Sequence, residues 1–191
     1  MRRFKAEDLK RYLRAVDRHM TSPFQLIVIG GSAALLGYGI DRVTQDIDTW
    51  DSDHSRIADA LEAAKKETGL NIPVQCPGIH DAPIDFEDRL KTVRIRELTK
   101  LAISVPEKHD LVLMKMLRGE QPDMEAADQI KAKSGLDSAT LIKRYVEEMR
   151  HVVGDIRRLD LNLLALIERL YGAEARDKTR KRLEAHRGHK R

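Results

Sequence analysis

Two aspartates one residue apart, Asp46 and Asp48, are the residues whose types and spacing best suit chemistry. Side chains at positions i and i+2 of a β-strand share a face, so the two carboxylates are predicted to project together. Paired carboxylate oxygens are ligands that Mg²⁺ and Mn²⁺ prefer. The sequence therefore predicts a divalent-cation site in which Asp46 and Asp48 are both metal ligands and catalytic residues, the alternative being two aspartates that end an edge strand in solvent.

A small-residue turn, Gly30-Gly31-Ser32, precedes this pair, with thirteen residues (33 to 45) between them. The apolar run at 26–29 predicts a strand before the turn, and a helix is predicted to begin near Ser32. The first turn of a helix attracts anions, and glycine lets the backbone approach a phosphate closely. Gly30, Gly31 and Ser32 are thus predicted to bind phosphate, the alternative being an ordinary tight turn. A phosphate beside a metal indicates nucleotide chemistry.

The elements that must position these residues follow from hydrophobic spacing and from glycine and proline punctuation. Helices are predicted at 4–19, 32–38, 55–68, from 106 onward, and at 125–133, 138–153 and 156–171. Strands are predicted at 24–29, 45–50, 92–95 and 101–105, with strand and loop between 71 and 83. This order predicts an α+β fold, with a small, mixed, mostly antiparallel sheet and flanking helices in residues 1–135. Residues 136–191 are predicted to form a helical subdomain with a basic C-terminal tail.

Composition limits the class of protein. The chain has 191 residues, 35% of them charged and 4% aromatic, which indicates a helix-rich, well-solvated molecule. The longest apolar segment, 26–36, is too short to cross a bilayer, and neither a membrane span nor a signal peptide is recognisable. A single cysteine, Cys76, excludes an internal disulfide and fits a cytoplasmic location.

The net charge of +4 is unevenly placed, because residues 174–191 hold eight Lys and Arg against three Asp and Glu. That segment alone contributes +5 and leaves the remainder near −1. Clustered positive charge attracts polyanions, so the tail is a candidate contact for RNA or tRNA. A solubilising tail is the alternative.

Residues 24–130 resemble the nucleotidyltransferase superfamily with the DNA polymerase β-like fold, whose signature joins a Gly-Gly/Ser turn to Asp-hydrophobic-Asp/Glu at about this spacing. The chain is most similar to the abortive-infection toxin-like group of bacterial and archaeal nucleotidyltransferases. The resemblance extends to Arg42 and Thr44, because such proteins often carry Arg-x-Thr before the aspartates. It implies that Arg42 binds phosphate, the alternative being a solvated loop arginine.

The resemblance also implies a third carboxylate on a neighbouring strand, acting as general base or third metal ligand. Asp85 is the candidate of choice among the acids of residues 81–88. Lys115 stands in a segment resembling the helix whose lysine faces the nucleotide in the toxin-like group. A lysine between Met114 and Met116 needs an anion or a route to water, so a snorkelling side chain is the alternative.

Taken together, the resemblance implies an Mg²⁺- or Mn²⁺-dependent enzyme. It would move a nucleoside monophosphate from an NTP such as ATP onto a hydroxyl of RNA, tRNA or protein. The resemblance further implies a place in a toxin–antitoxin or phage-defence pair, with a cognate antitoxin as partner. The rival hypothesis is a catalytically degenerate protein of the same fold that binds nucleotide, nucleic acid or a partner protein. A second rival is an adaptor whose helical half docks another protein.

Overall fold

The chain packs as two units in the computed structural model, which describes residues 2–50, 53–77, 81–149, 152 and 155–188. One unit comprises Met1–His80 and Glu87–Glu107, and the other Asp81–Phe86 and Lys108–Arg191. The predicted domain boundary at residue 135 stays a prediction, because a functional domain need not end where a packing unit ends.

Within its described residues, the first unit combines three α-helices with short strands. The helices are α1 (Ala6–His19), α2 (Gly30–Tyr38) and α3 (Ala58–Thr68). The strands are β1 (Phe24–Ile27), β2 (Ile47–Asp48), β3 (Val74–Gln75), β4 (Lys91–Val93) and β5 (Leu101–Val105). The strand predicted at 45–50 is thus only two residues long, although its neighbours Thr44 and Thr49 form isolated bridges.

The sheet is mixed, as predicted, but it is not mostly antiparallel. The strand order is β1-β5-β4, with β1 parallel and β4 antiparallel to β5. Strands β2 and β3 form a parallel pair. An antiparallel bridge between Val28 and Thr49 joins that pair to the end of β1. The expectation failed because residues 58–68 cross over as α3 between β2 and β3, a connection that suits parallel strands.

Helix α1 is amphipathic and carries a buried carboxylate near its end. Its apolar residues include the buried Leu9 and Leu13, whereas Asp17 is charged yet only 3% exposed. Asp17 accepts the backbone N–H groups of Thr99, Lys100 and Leu101, at 3.0, 2.7 and 2.6 Å. It thereby fixes the turn that enters β5. Burial alone would raise the pKa of Asp17, but these donors outweigh burial and hold the pKa below its usual value.

Replacing Asp17 with asparagine is expected to lower the free energy of unfolding by about 2–3 kcal/mol at pH 7, because hydrogen bonds to a charged acceptor are lost. The folded-state pKa lies below the unfolded value of about 4. The stabilisation is therefore complete above that value and lost as the pH falls through the folded pKa. Urea unfolding at several pH values should show the gap between wild type and Asp17→Asn closing in acid. A gap that is independent of pH would contradict this role.

The second unit is helical. It contains α4 (Lys108–Arg118), α5 (Gln121–Ser134), α6 (Ser138–Glu148), α7 (Ile156–Tyr171) and α8 (Ala173–Gly188). Asp137 and Asp155 cap α6 and α7, accepting the backbone N–H groups of Thr140 and Arg157 at 2.8 and 2.9 Å. Helix α6 ends at Glu148, short of the predicted end at 153: residues 149 and 152 are not helical, and positions 150, 151 and 153 lie outside the described residues.

The predicted α+β class is confirmed: a small mixed sheet with flanking helices is followed by helices. Much of the basic tail is itself helical, since α8 covers Ala173–Gly188. Among the described residues, none of the helices is long and apolar enough to cross a membrane.

Candidate functional site

The Gly-Gly-Ser turn is the start of α2, which begins at Gly30, two residues before the predicted start. Gly30 has a φ of +66°, a conformation that favours glycine. Ser32 is buried, and its hydroxyl donates to the Ile29 carbonyl at 3.1 Å. That hydroxyl proton is therefore used locally, and phosphate binding by Ser32 stays a prediction. The first-turn N–H groups of a helix have no intrahelical acceptor, so Gly30 and Gly31 remain candidates for phosphate binding.

Asp48 lies directly against this helix start. A Cβ built on Gly30 would fall 2.7 Å from the Asp48 Oδ2 atom, closer than side chains tolerate. The Ile29 N–H donates to the Asp48 carbonyl at 2.9 Å, and the Trp50 N–H donates to the Ile27 carbonyl at 2.9 Å. The fold thus brings together the two halves of the motif, the glycine turn and the aspartate strand.

Asp46 occupies the bend before β2 and is half-buried, as is Asp48. Ile47 between them is fully buried, the alternation expected where one face of a strand meets the core. The Gln75 amide nitrogen lies 3.2 Å from Asp46 Oδ2, and the Thr44 hydroxyl lies 3.4 Å from Oδ1. No basic side chain of the described residues contacts the Asp46 carboxylate. The protein holds this charge in place without neutralising it.

The loop that precedes the aspartates is anchored by the N-terminal segment. Phe4 donates its N–H to the Thr44 carbonyl at 2.7 Å, and Thr44 donates to the Phe4 carbonyl at 3.0 Å. Phe4 is 1% exposed. The prediction that the opening helix includes Phe4 is wrong, because α1 starts at Ala6. Arg42 is half-buried in the same loop, and its phosphate contact stays a prediction.

Asp85 and Lys115 belong to the second unit. Asp85 is exposed in a turn. Lys115 is buried in α4, with its Nζ atom 3.1 Å from Asp123 Oδ1. Arg118 donates from Nε to the other Asp123 oxygen at 2.7 Å. The anion that a buried lysine requires is thus supplied by the protein itself. The predicted roles of Asp85 and Lys115 toward a nucleotide stay predictions.

Asp123 is the acidic centre of that cluster and is 2% exposed. Burial alone would raise the pKa of Asp123, but the hydrogen bond from Arg118 and the positive charge of Lys115 outweigh burial and lower it. Asp123 therefore stays ionised and paired. Removing one partner would leave a buried charge uncompensated.

Gln75 is the site residue that sequence reasoning missed. Strand β3 pairs it with Asp48 in parallel register, and its amide reaches Asp46. The segment around Gln75 is predicted only as strand and loop, since prolines interrupt it. The pairing of β2 with β3 brings Gln75 to Asp48 and Asp46, which lie 27 and 29 positions earlier in the chain.

The donor set fits a hard divalent cation. Mg²⁺ is usually bound through one or two carboxylates, with the remaining ligands drawn from water and substrate phosphates. Asp46 and Asp48 would provide the carboxylates, and Gly30 lets the Asp48 carboxylate lie where a Cβ would collide with it. Within residues 2–50, 53–77, 81–149 and 155–188, no cluster of three or more His, Cys, Asp or Glu side chains is arranged to hold a metal.

Comparison with known proteins gives the class. Residues 6–169 match the family described as "Nucleotidyltransferase of unknown function (DUF6036)". The chain belongs to this family, which confirms the resemblance to nucleotidyltransferases. No curated protein and no solved structure matches the chain.

Proposed function

We propose that this nucleotidyltransferase-family protein transfers a nucleoside monophosphate from an NTP to an acceptor hydroxyl in an Mg²⁺- or Mn²⁺-dependent reaction. The observation that carries the proposal is the Asp48 carboxylate packed on Gly30 at the start of α2, with Asp46 in the bend just before β2. Carboxylates for a cation and helix N–H groups for an anion are therefore adjacent. This pairing suits a metal-bound triphosphate.

In this reaction the acceptor oxygen attacks the α-phosphorus. The bond from that phosphorus to the bridging oxygen breaks, pyrophosphate leaves, and the hydroxyl proton passes to a base. Asp46 and Asp48 would hold the cation, and the N–H groups of Gly30 and Gly31 would orient phosphate oxygens. A bound cation supplies charge neutralisation at the attacked and leaving oxygens.

The direct test incubates the purified protein with Mg²⁺ and each of the four NTPs labelled at the α-phosphate, with and without total cellular RNA. Label on RNA or protein that disappears in Asp46→Asn would identify the donor and the acceptor class. Binding of Mg²⁺ and NTP without any label transfer would contradict the proposed activity.

For the acceptor we propose RNA, because α8 presents a basic surface. The helix packs on α7, and its Thr179 and Leu183 side chains are buried. Arg180, Lys181 and Arg182 are exposed, and no partner is found for them in the described part of the chain. Lys178, by contrast, pairs with Glu174 at 2.7 Å. These three unpaired cations can each neutralise a phosphate.

Replacing Arg180, Lys181 and Arg182 together with glutamine is expected to weaken RNA binding and to reduce the salt dependence of log K by about two to three units of slope. Fluorescence anisotropy with a tRNA-sized probe at several salt concentrations measures both. A matched control replaces Arg3, Lys66 and Lys143, which are exposed but dispersed over both units. If the two triple variants weaken RNA binding equally, net charge alone determines the affinity and α8 is not the RNA-binding surface.

A toxin role follows from the sequence resemblance and is proposed on that ground. Induced expression of the wild type should arrest growth, whereas Asp46→Asn at equal abundance should not. Co-purification of a second protein that restores growth would identify the antitoxin. Equal toxicity of the two forms would contradict a role through nucleotidyl transfer.

The degenerate binding module remains the second candidate, favoured by the neutral residue Gln75 opposite Asp48 on the neighbouring strand. An acid there would have completed a three-carboxylate site. Calorimetry with Mg²⁺ and NTP, run beside the transfer assay, separates the candidates. Binding without turnover supports this one.

A further inference from the structure

Gln75 is a neutral residue that donates a hydrogen bond to Asp46, one of the two carboxylates of the candidate cation site. Its Nε2 atom lies 3.2 Å from Asp46 Oδ2, and its backbone is paired with Asp48 in parallel register. An ionised carboxylate only accepts hydrogen bonds, so the amide must present its NH₂ group rather than its carbonyl. The side chain is exposed, so no packing requirement fixes it there.

The second carboxylate oxygen of Asp46, Oδ1, also lies near an uncharged hydrogen-bond donor. The Thr44 hydroxyl lies 3.4 Å from Oδ1 and 3.2 Å from the Asp46 carbonyl oxygen. Neutral donors therefore reach both carboxylate oxygens. An arginine or lysine in either place would satisfy the carboxylate more strongly, but it would also cancel the charge that attracts a cation.

We propose that Gln75 is a positioning residue for the cation site. It orients the Asp46 carboxylate beside Asp48 while leaving its negative charge uncompensated. The inference rests on the proposed function, because it presupposes a cation at Asp46 and Asp48. Side chains that orient metal ligands commonly contribute ten- to a hundredfold to metal affinity.

The backbone of β3 does not depend on this side chain. The Thr49 N–H and hydroxyl both reach the Gln75 carbonyl, at 2.9 and 3.2 Å. Replacing the exposed side chain therefore leaves the pairing of β2 with β3 in place. A change in metal affinity at an unchanged thermal midpoint would separate positioning from a purely structural role.

The test titrates the full-length protein with Mn²⁺ by calorimetry, with free Mn²⁺ followed by electron paramagnetic resonance. Gln75→Ala is expected to weaken Mn²⁺ binding by about tenfold. Gln75→Arg is expected to weaken it further, because the guanidinium would pair with Asp46. The matched control is Gln25→Ala, an exposed strand glutamine on β1, with expected wild-type affinity.

The outcomes separate the two proposals. If Asp46→Asn abolishes Mn²⁺ binding but Gln75→Ala and Gln75→Arg bind as the wild type does, the positioning role is wrong and the cation site stands. If the wild type binds no Mn²⁺ even with NTP present, the cation site fails and the inference fails with it. If Mn²⁺ affinity falls in the Gln75 variants and in Asp46→Asn but not in Gln25→Ala, and thermal midpoints are normal, the cation site and the positioning role are both supported.

Discussion

Asp48→Asn is expected to lower nucleotidyl transfer by about three orders of magnitude or more, and Asp46→Asn to do the same. A metal ion's charge stabilisation at a phosphoryl centre is worth several kcal/mol, and each 1.36 kcal/mol is a factor of ten in rate. Asparagine keeps the shape of aspartate but removes the charge that attracts a cation. Both aspartates are half-buried, so the fold should tolerate the change.

The measurement is the initial rate of α-phosphate label transfer, taken beside thermal unfolding of each variant. Asp59→Asn is the matched control, since Asp59 is exposed in the first turn of α3 and no partner is found for it among the described residues. It should retain wild-type activity. Rates within a few-fold of wild type for both Asp46→Asn and Asp48→Asn would remove these residues from the mechanism.

The local features of this fold were readable from the sequence. The spacing of Leu9 and Leu13 indicated α1, and both residues are buried on one face. The helix predicted to end at residue 38 does end there, and the structure shows Gly39 as its left-handed C-cap. The order of strands and helices gave the α+β class. Each of these signals depends on residues within one or two helical turns of each other.

The remaining features depend on pairing between distant segments. Phe4 is spaced from the apolar residues that follow it as in an amphipathic helix. In the structure it instead forms a β-bridge with Thr44, forty residues away. Gln75 reaches Asp46 only because β3 lies parallel to β2. No local pattern encodes either contact, since strand register depends on which edges meet in the folded sheet.

For Lys115, the sequence indicates that the side chain needs an anionic partner, but it does not indicate which anion. A lysine among apolar residues does require an anion, and the structure provides one at Asp123, eight residues along the chain. The same premise equally suited a bound triphosphate. The contact between Lys115 and Asp123 supplies an internal anion, and contact of Lys115 with a bound triphosphate stays a prediction.

Gly30→Ala is expected to damage both the fold and the site. A non-glycine residue in the left-handed region costs about 1–2 kcal/mol, and here the added Cβ would also fall 2.7 Å from Asp48 Oδ2. Either the start of α2 or the Asp48 carboxylate must move. We therefore expect a loss of about 2–4 kcal/mol in unfolding free energy, together with a loss of Mn²⁺ affinity.

Alanine substitutions at two further glycines separate the effect of backbone strain from the effect of the contact with Asp48. Gly39 has a similar φ of +61° but open space around its Cβ position, so Gly39→Ala measures backbone strain alone. Gly31 is outside the left-handed region, and a Cβ there would lie 3.4 Å from the Thr44 hydroxyl, so Gly31→Ala should be the mildest of the three. Urea unfolding and Mn²⁺ titration of all three variants give the comparison. If Gly30→Ala unfolds and binds Mn²⁺ as Gly39→Ala does, the contact between Gly30 and Asp48 has no role in positioning the carboxylate.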